Sequence, residues 1–374
     1  MDMPSATATL RAGTAGQDRF WPLLRQSLSA HAIFFALIGA YLLSFAVLLR
    51  LRPDLEPSNF LLMAVGFSAF SLPVMLIGLF FMRFYHIATV VKPERPIPAL
   101  TADLRQYLGD RRRMAHGLPM VVIMVLFMYV FVELKANIPT LNPFSWDTSL
   151  VALEKTLHFG RQPWEWLQPV LGYRPITFLI NLNYNAWFAV MWVVWVYFAF
   201  AETASETRTR FFLTFFLAWI IGGGVMAIYF SSVGPCFYGL MGLSPDPFAD
   251  QMAYLREVNE TFPIWAIQVQ DMLWASYQGQ VSIDGISAMP SMHNGTALLF
   301  ALAGFQVNRK IGWLLMAHAV FIFIGSVHLA WHYAVDSYMA WAVTLVLWFA
   351  LAPVTRWWHG RAAQRTFTLA LERA

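Results

Sequence analysis

The sequence predicts an all-α protein: a polytopic membrane bundle of about eight transmembrane helices around a six-helix core. Composition is the first reason. Of 374 residues, 58% are hydrophobic and 12% charged, against about 25% charged in a soluble domain. Length is the second. Eight mostly apolar stretches approach the roughly 20 residues that cross a bilayer. They lie near 29–49, 59–82, 117–134, 176–200, 211–232, 294–307, 311–331 and 335–354. The third reason is where the charges fall. Lys and Arg concentrate in the short segments between these stretches, mostly in alternate segments that share one side.

Residues 1–28 are polar and small, with Arg11, Arg19 and Arg25 scattered among them. The apolar run that follows is too long for a signal-peptide core and has no small-residue cleavage site. This region reads as a cytoplasmic tail, unstructured or lying on the membrane. Residues 29–116 hold two spans and a basic loop that includes Arg111-Arg-Arg113, and look like an addition to the six-span core at 117–354. A second cytoplasmic tail occupies 355–374. The sixth span is short, and the tight link Asn308-Arg-Lys310 makes spans six and seven an antiparallel hairpin.

An even number of spans puts both termini on one side. That side collects roughly 18 of the 25 Lys and Arg residues, so it is cytoplasmic by the positive-inside rule. The basic residues are topological anchors, and the net charge of +4 is no signal for nucleic acid. The single cysteine, Cys236, cannot form an internal disulfide.

The opposite side receives the loops 51–58, 135–175 and 233–292. The aromatic residues of the second, Trp146, Trp164 and Trp166 among them, predict a helix lying at the headgroup level. The third is acidic, and its middle (249–278) is expected to form one or two surface helices. Within span four, Asn181, Tyr184 and Asn185 put polar groups where they must pair with one another or meet a polar headgroup.

Two segments at this outer boundary carry chemistry. Ala288-Met-Pro-Ser-Met-His-Asn-Gly295 puts Ser291 and His293 where a loop becomes an apolar helix. His332-Tyr-Ala-Val-Asp336 puts a His and an Asp on one helical face. An Asp one turn from a His can accept its Nδ1 proton, fix the tautomer and leave Nε2 free to attack. A Ser hydroxyl at a helix N-terminus can hold an anionic oxygen, and a second His can protonate a leaving group.

Pro290-Ser-Met-His293 followed by His332-Tyr-Ala-Val-Asp336 resembles the second and third signature motifs of the type-2 phosphatidic acid phosphatase superfamily. The resemblance covers about residues 117–354. It implies that His332 attacks phosphorus to form a phosphohistidine, that Asp336 orients it, that His293 protonates the leaving group and that Ser291 binds phosphate. No cofactor is implied.

Two departures narrow the branch. The phosphatases carry a first motif of Lys and, seven positions on, Arg-Pro, ahead of the second motif. Here that stretch begins Ser-Val-Gly-Pro-Cys-Phe-Tyr238, and Lys155 and Arg161 sit in a different loop. The Arg expected six residues before the third-motif His is Ser326. A phosphodiester carries less charge than a monoester and needs fewer cations. The pattern therefore resembles the branch of inositol-phosphorylceramide synthase and sphingomyelin synthase, which move a phospholipid headgroup onto a lipid hydroxyl. The expected partners are a phospholipid donor and a lipid or water acceptor, with Arg256, His328 or backbone N–H groups replacing the missing cations. The expected setting is a bacterial inner membrane, to which the Trp and Arg content leans, or a eukaryotic secretory membrane, with the site facing the outer, periplasmic or lumenal, side.

Other readings are open, among them a non-enzymatic lipid transporter and a catalytically dead lipid-binding relative, the latter weakened because Ser291, His293, His332 and Asp336 are all present. A lipid phosphate phosphatase shares the same motifs. A proton-coupled transporter predicts charges deep in several spans, which this chain lacks. His328-Leu-Ala-Trp-His332 has the spacing of a di-iron box, but such sites need more His ligands than this chain gathers in one place.

Overall fold

The computed structural model describes residues 20–280 and 285–373. The predicted tail up to residue 19, with Arg11 and Arg19, and Asp284 of the acidic loop lie outside the described residues. Among the described residues the protein is all-helical, and seven helices are long and apolar enough to cross a membrane. It is built as a multi-pass membrane protein.

The spans follow the apolar stretches: α1 (Ala32–Leu51), α2 (Phe60–His86), α4 (Arg111–Ala136), α7 (Arg174–Ala199), α8 (Glu206–Ile220), α11 (Met292–Val307), α12 (Arg309–His328) and α13 (Ala334–His359). Helix α2 runs on through a π-helical turn, Ile87–Val91, and α8 through another, Ile221–Met226. Polar caps set several starts. Asn59 accepts the Leu61 and Leu62 N–H groups, Asp110 that of Arg112, Ser205 that of Arg208 and Asn308 that of Lys310. Each satisfies donors that a helix N-terminus leaves unpaired.

The short sixth span is the one departure from the predicted set. Helix α11 has 16 residues, about 24 Å at 1.5 Å per residue and less than a hydrocarbon core. It does not need to meet lipid. Residues from Asn294 to Ala301 are buried, and α12 folds back beside it while α8, α13 and α7 close round it.

The tails and loops are more regular than their composition suggests. Residues 20–30 are helical, and Leu23 packs with Ala115 of α4 and with Phe367 and Leu371 of the C-terminal helix α14 (Ala362–Arg373). The basic loop before α4 contains α3 (Pro96–Gly109), tied to α2 by the ion pair Arg83–Asp103. Loop 135–175 forms α5 (Asp147–Leu157) and α6 (Pro163–Leu171). Loop 233–292 forms α9 (Ala249–Asn259) and α10 (Trp265–Tyr277). At the end of the bundle away from these loops, buried Arg208 donates to the carbonyls of Phe198, Ala199 and His116.

Candidate active site

The start of α11, the end of α12 and the start of α13 meet at one end of the bundle. Gly295 permits the approach. A Cβ there would lie 3.1 Å from Thr344 Oγ1 and 3.5 Å from the Ala340 Cβ, while the Thr344 hydroxyl donates to the Gly295 carbonyl at 3.2 Å. This contact brings Ser291, the residue before α11, against α13. Its backbone N–H donates to the Asp336 carbonyl at 3.2 Å.

His332 sits between two acceptors. Its Nδ1 lies 2.8 Å from the Ala288 carbonyl and 3.3 Å from Asp336 Oδ2. A carbonyl oxygen can only accept, so Nδ1 carries the proton and Nε2 keeps its lone pair. Asp336 Oδ2 also accepts the Tyr333 N–H at 3.0 Å, which fixes the carboxylate at the helix start. Nε2 has no hydrogen bond among the described residues and is the basic, nucleophilic edge of the ring.

Two buried carboxylates from α5 hold this geometry, and the sequence did not reveal them. Asp147 accepts the Val233 and Gly234 N–H groups at 3.0–3.1 Å and the Tyr333 hydroxyl at 2.8 Å. Gly234 has φ +88, and a Cβ there would crowd Ala288 and the Trp331 carbonyl. Only glycine combines that backbone with that space. Glu154 accepts the Val335 N–H at 2.9 Å, at the N-terminus of α13. Burial pushes its carboxyl up to about 8, and the neighbouring Asp336 adds to the rise. Burial raises Asp147 as well, against the pull of its three donors. The signal available was spacing: positions seven apart share one face of a helix.

His293 is held differently. It has no hydrogen bond among the described residues. Its ring stacks on Tyr184, centroids 5.1 Å apart at 19°, and lies 4.1 Å from Trp187 and 5.9 Å from Phe188. Trp331, next to His332, lies parallel to the other side of this aromatic group, 6.4 Å from Tyr184. His293 also lines a cavity of about 380 Å³ between α2, α4, α7, α8 and α11. The walls are Met and aromatic side chains, among them Met63, Met128, Phe131 and Trp192. Among the described residues, Lys135 is the single charged one on them.

The expected binding residues divide. Ser291 Oγ accepts from Asn294 Nδ2 at 2.9 Å, and the same amide donates to Ser326 Oγ at 3.1 Å. Asn294 thus bridges the motif Ser to the position where the family's Arg would stand. Tyr184 joins His293. Asn185 donates to Asn181, whose Oδ1 also accepts the Ala266 N–H of α10 at 3.2 Å; this pair fastens α7 to the overlying loop. His328 Nε2 is bonded to Thr177 Oγ1 at 2.9 Å, and Thr177 to Tyr254 at 2.7 Å. Arg256 is exposed and paired with Asp271 at 2.8 Å. Among the described residues, no three His, Cys, Asp or Glu side chains group as metal ligands.

The geometry defines a class: a membrane-embedded helical bundle with a His–Asp pair, a second His and a Ser at a helix start, beside an apolar cavity. The comparison with known families names it. The family model of the PAP2 superfamily matches residues 148–350, more than half of the chain, and the protein belongs to that superfamily. Its membership carries phosphatase- or phosphoesterase-type chemistry on lipid phosphates. The match starts within α5, so α1–α4 lie outside it. No curated protein and no solved structure matches the chain significantly.

Proposed function

We propose that the protein transfers a phosphoryl-headgroup from a phospholipid to a lipid hydroxyl through a phosphohistidine on His332. The observation that carries this is the state of the His332 ring. Nδ1 is bound to the Ala288 carbonyl and Asp336, and Nε2 makes no hydrogen bond among the described residues. Nε2 attacks phosphorus, and the P–O bond to a diacylglycerol-type alcohol breaks. Protonated His293 gives that oxygen its proton. The acceptor hydroxyl then attacks phosphorus, the P–N bond breaks, and the hydroxyl proton passes to His293. His332 regains its lone pair.

Transfer rather than monoester hydrolysis is favoured by what surrounds Ser291. Ser326 and Asn294 occupy the ground that an Arg would need, so the site has less charge for a phosphate dianion. The adjoining apolar cavity suits a lipid better than water. The donor is a phospholipid and the acceptor a lipid alcohol. By the charge bias of the connecting segments, both termini are cytoplasmic and the site faces the outer, periplasmic or lumenal, side; the membrane we propose is a bacterial inner membrane.

The test uses purified protein with headgroup-labelled phosphatidylinositol or phosphatidylcholine, or with phosphate-labelled phosphatidic acid, each with and without ceramide or diacylglycerol. His332→Ala is the blank. Labelled headgroup on a new lipid is the expected result, with label held on the wild-type protein when the acceptor is withheld. Free phosphate from phosphatidic acid alone would replace transfer with a phosphatase reading. No product above the blank from any lipid would overturn both.

A further inference from the structure

The phosphate of either kind of lipid substrate needs a cation that the family's missing motif does not supply. The basic residues on the motif-bearing face are mostly engaged. Arg52, Arg174 and Arg256 are ion-paired with Asp54, Glu257 and Asp271. Arg161 lies over the Trp166 ring, 5.0 Å from its centroid. Arg50 and Lys155 are exposed. Lys135, in the last turn of α4, differs from all of them. It is half-buried, has no carboxylate partner among the described residues, and lines the same cavity as His293.

A lysine at the rim of an apolar cavity is costly unless its ammonium reaches water or an anion. From Lys135 the cavity wall descends α4 to Met124, eleven positions away and about 16 Å at 1.5 Å per residue. Past that rim the wall carries no further charge, and α2, which closes one side, is the span least buried in the protein. A molecule with one anionic group at the membrane surface and an apolar chain below it matches both ends.

We propose that Lys135 is the cation that receives the substrate phosphate, and that the cavity beneath it takes an acyl chain of the same lipid. This rests on the reading of the site as one for lipid phosphodiesters. Lys135 then neutralises the oxygens that Ser291 and the start of α11 leave uncompensated, and the chain fixes the phosphorus beside His293.

The test measures binding in the His332→Ala protein, where turnover does not interfere. The probes are a phosphatidylcholine and a diacylglycerol, each with brominated acyl chains in mixed micelles. Quenching of tryptophan fluorescence reports contact, since Trp187, Trp192 and Trp219 line the cavity. Lys135→Met is expected to weaken the phospholipid about ten- to a hundredfold, the range of one charged hydrogen bond, and to leave diacylglycerol unchanged. Lys135→Arg should keep most of the affinity. Met128→Trp, which fills the cavity, should weaken both lipids. Equal loss of both lipids in Lys135→Met, or of neither, overturns the role of Lys135. Unchanged binding in Met128→Trp overturns the cavity. The transfer reading fails or stands separately, in the assay of product with wild-type protein.

Discussion

The two histidines of the site are fixed by opposite means. His332 is held by polar bonds: a carbonyl and a carboxylate on Nδ1, behind which Asp147 and Glu154 anchor the start of α13. His293 makes no hydrogen bond among the described residues and is held by ring contacts with Tyr184, Trp187 and Phe188. The difference matches what the roles proposed for them demand. A nucleophile needs one nitrogen permanently protonated so that the other stays bare, and a hydrogen bond does that. A group that gives a proton and later takes one back needs its ring oriented with both nitrogens unclaimed, and stacking does that.

The largest effect should come from the polar half. His332→Ala removes the nucleophile, and turnover is expected to fall about 10⁶-fold, as when other nucleophiles are deleted, with no label retained on the protein. Asp336→Asn keeps the shape but offers Nδ1 a donor as well as an acceptor. Loss of tautomer control should cost about 10⁴-fold, and near-normal rates would show that the Ala288 carbonyl suffices. His293→Gln should cost about 10²- to 10⁴-fold. Its loss should shrink with donors whose leaving alcohol needs no proton; a uniform loss would make His293 a packing residue. Trp187→Leu removes one stacking face and should lower turnover by about two- to tenfold without altering the fold of the loops.

The smallest effect separates support from chemistry. The Glu154 carboxyl titrates near 8 in the folded protein, well above an ordinary glutamate near 4.3. Its neutral form is the one that folding favours. The contribution is complete below the unfolded pKa and is lost as pH rises through the folded one. Thermal stability should therefore decline between about pH 4.5 and 8, and Glu154→Gln should flatten that decline. An unchanged profile in the variant would remove Glu154 as the source.

The parts legible in the sequence are those in which neighbours along the chain decide. Apolar length gave the spans, and the pairs Ser291–His293 and His332–Asp336 carry their geometry in their own spacing. The 16-residue α11 read as a span because its burial inside the bundle, like insertion in lipid, selects apolar residues. The rest depends on distant partners. Asp147 meets Tyr333 across 186 positions and Glu154 meets Val335 across 181, so their spacing marks a shared helix face but not what that face meets. Arg256 and His328 were natural candidates for a missing cation. Their surroundings, Asp271 on the next helix and Thr177 on α7, come from folding alone. Lys135 carries no local mark of a site, because its place on the cavity wall depends on α2, α7, α8 and α11.

The bond from Ser291 N–H to the Asp336 carbonyl, and that from His332 to the Ala288 carbonyl, join segments about forty residues apart. They have a consequence for biosynthesis. On the proposed mechanism, a chain still emerging from the ribosome can already have its first seven spans in the membrane and yet hold no oriented nucleophile, because Asp336 arrives with the last span, α13. On that mechanism the protein is expected to stay inert toward the lipids around it until α13 inserts, and a message cut short ahead of α13 is expected to yield a membrane protein without chemistry.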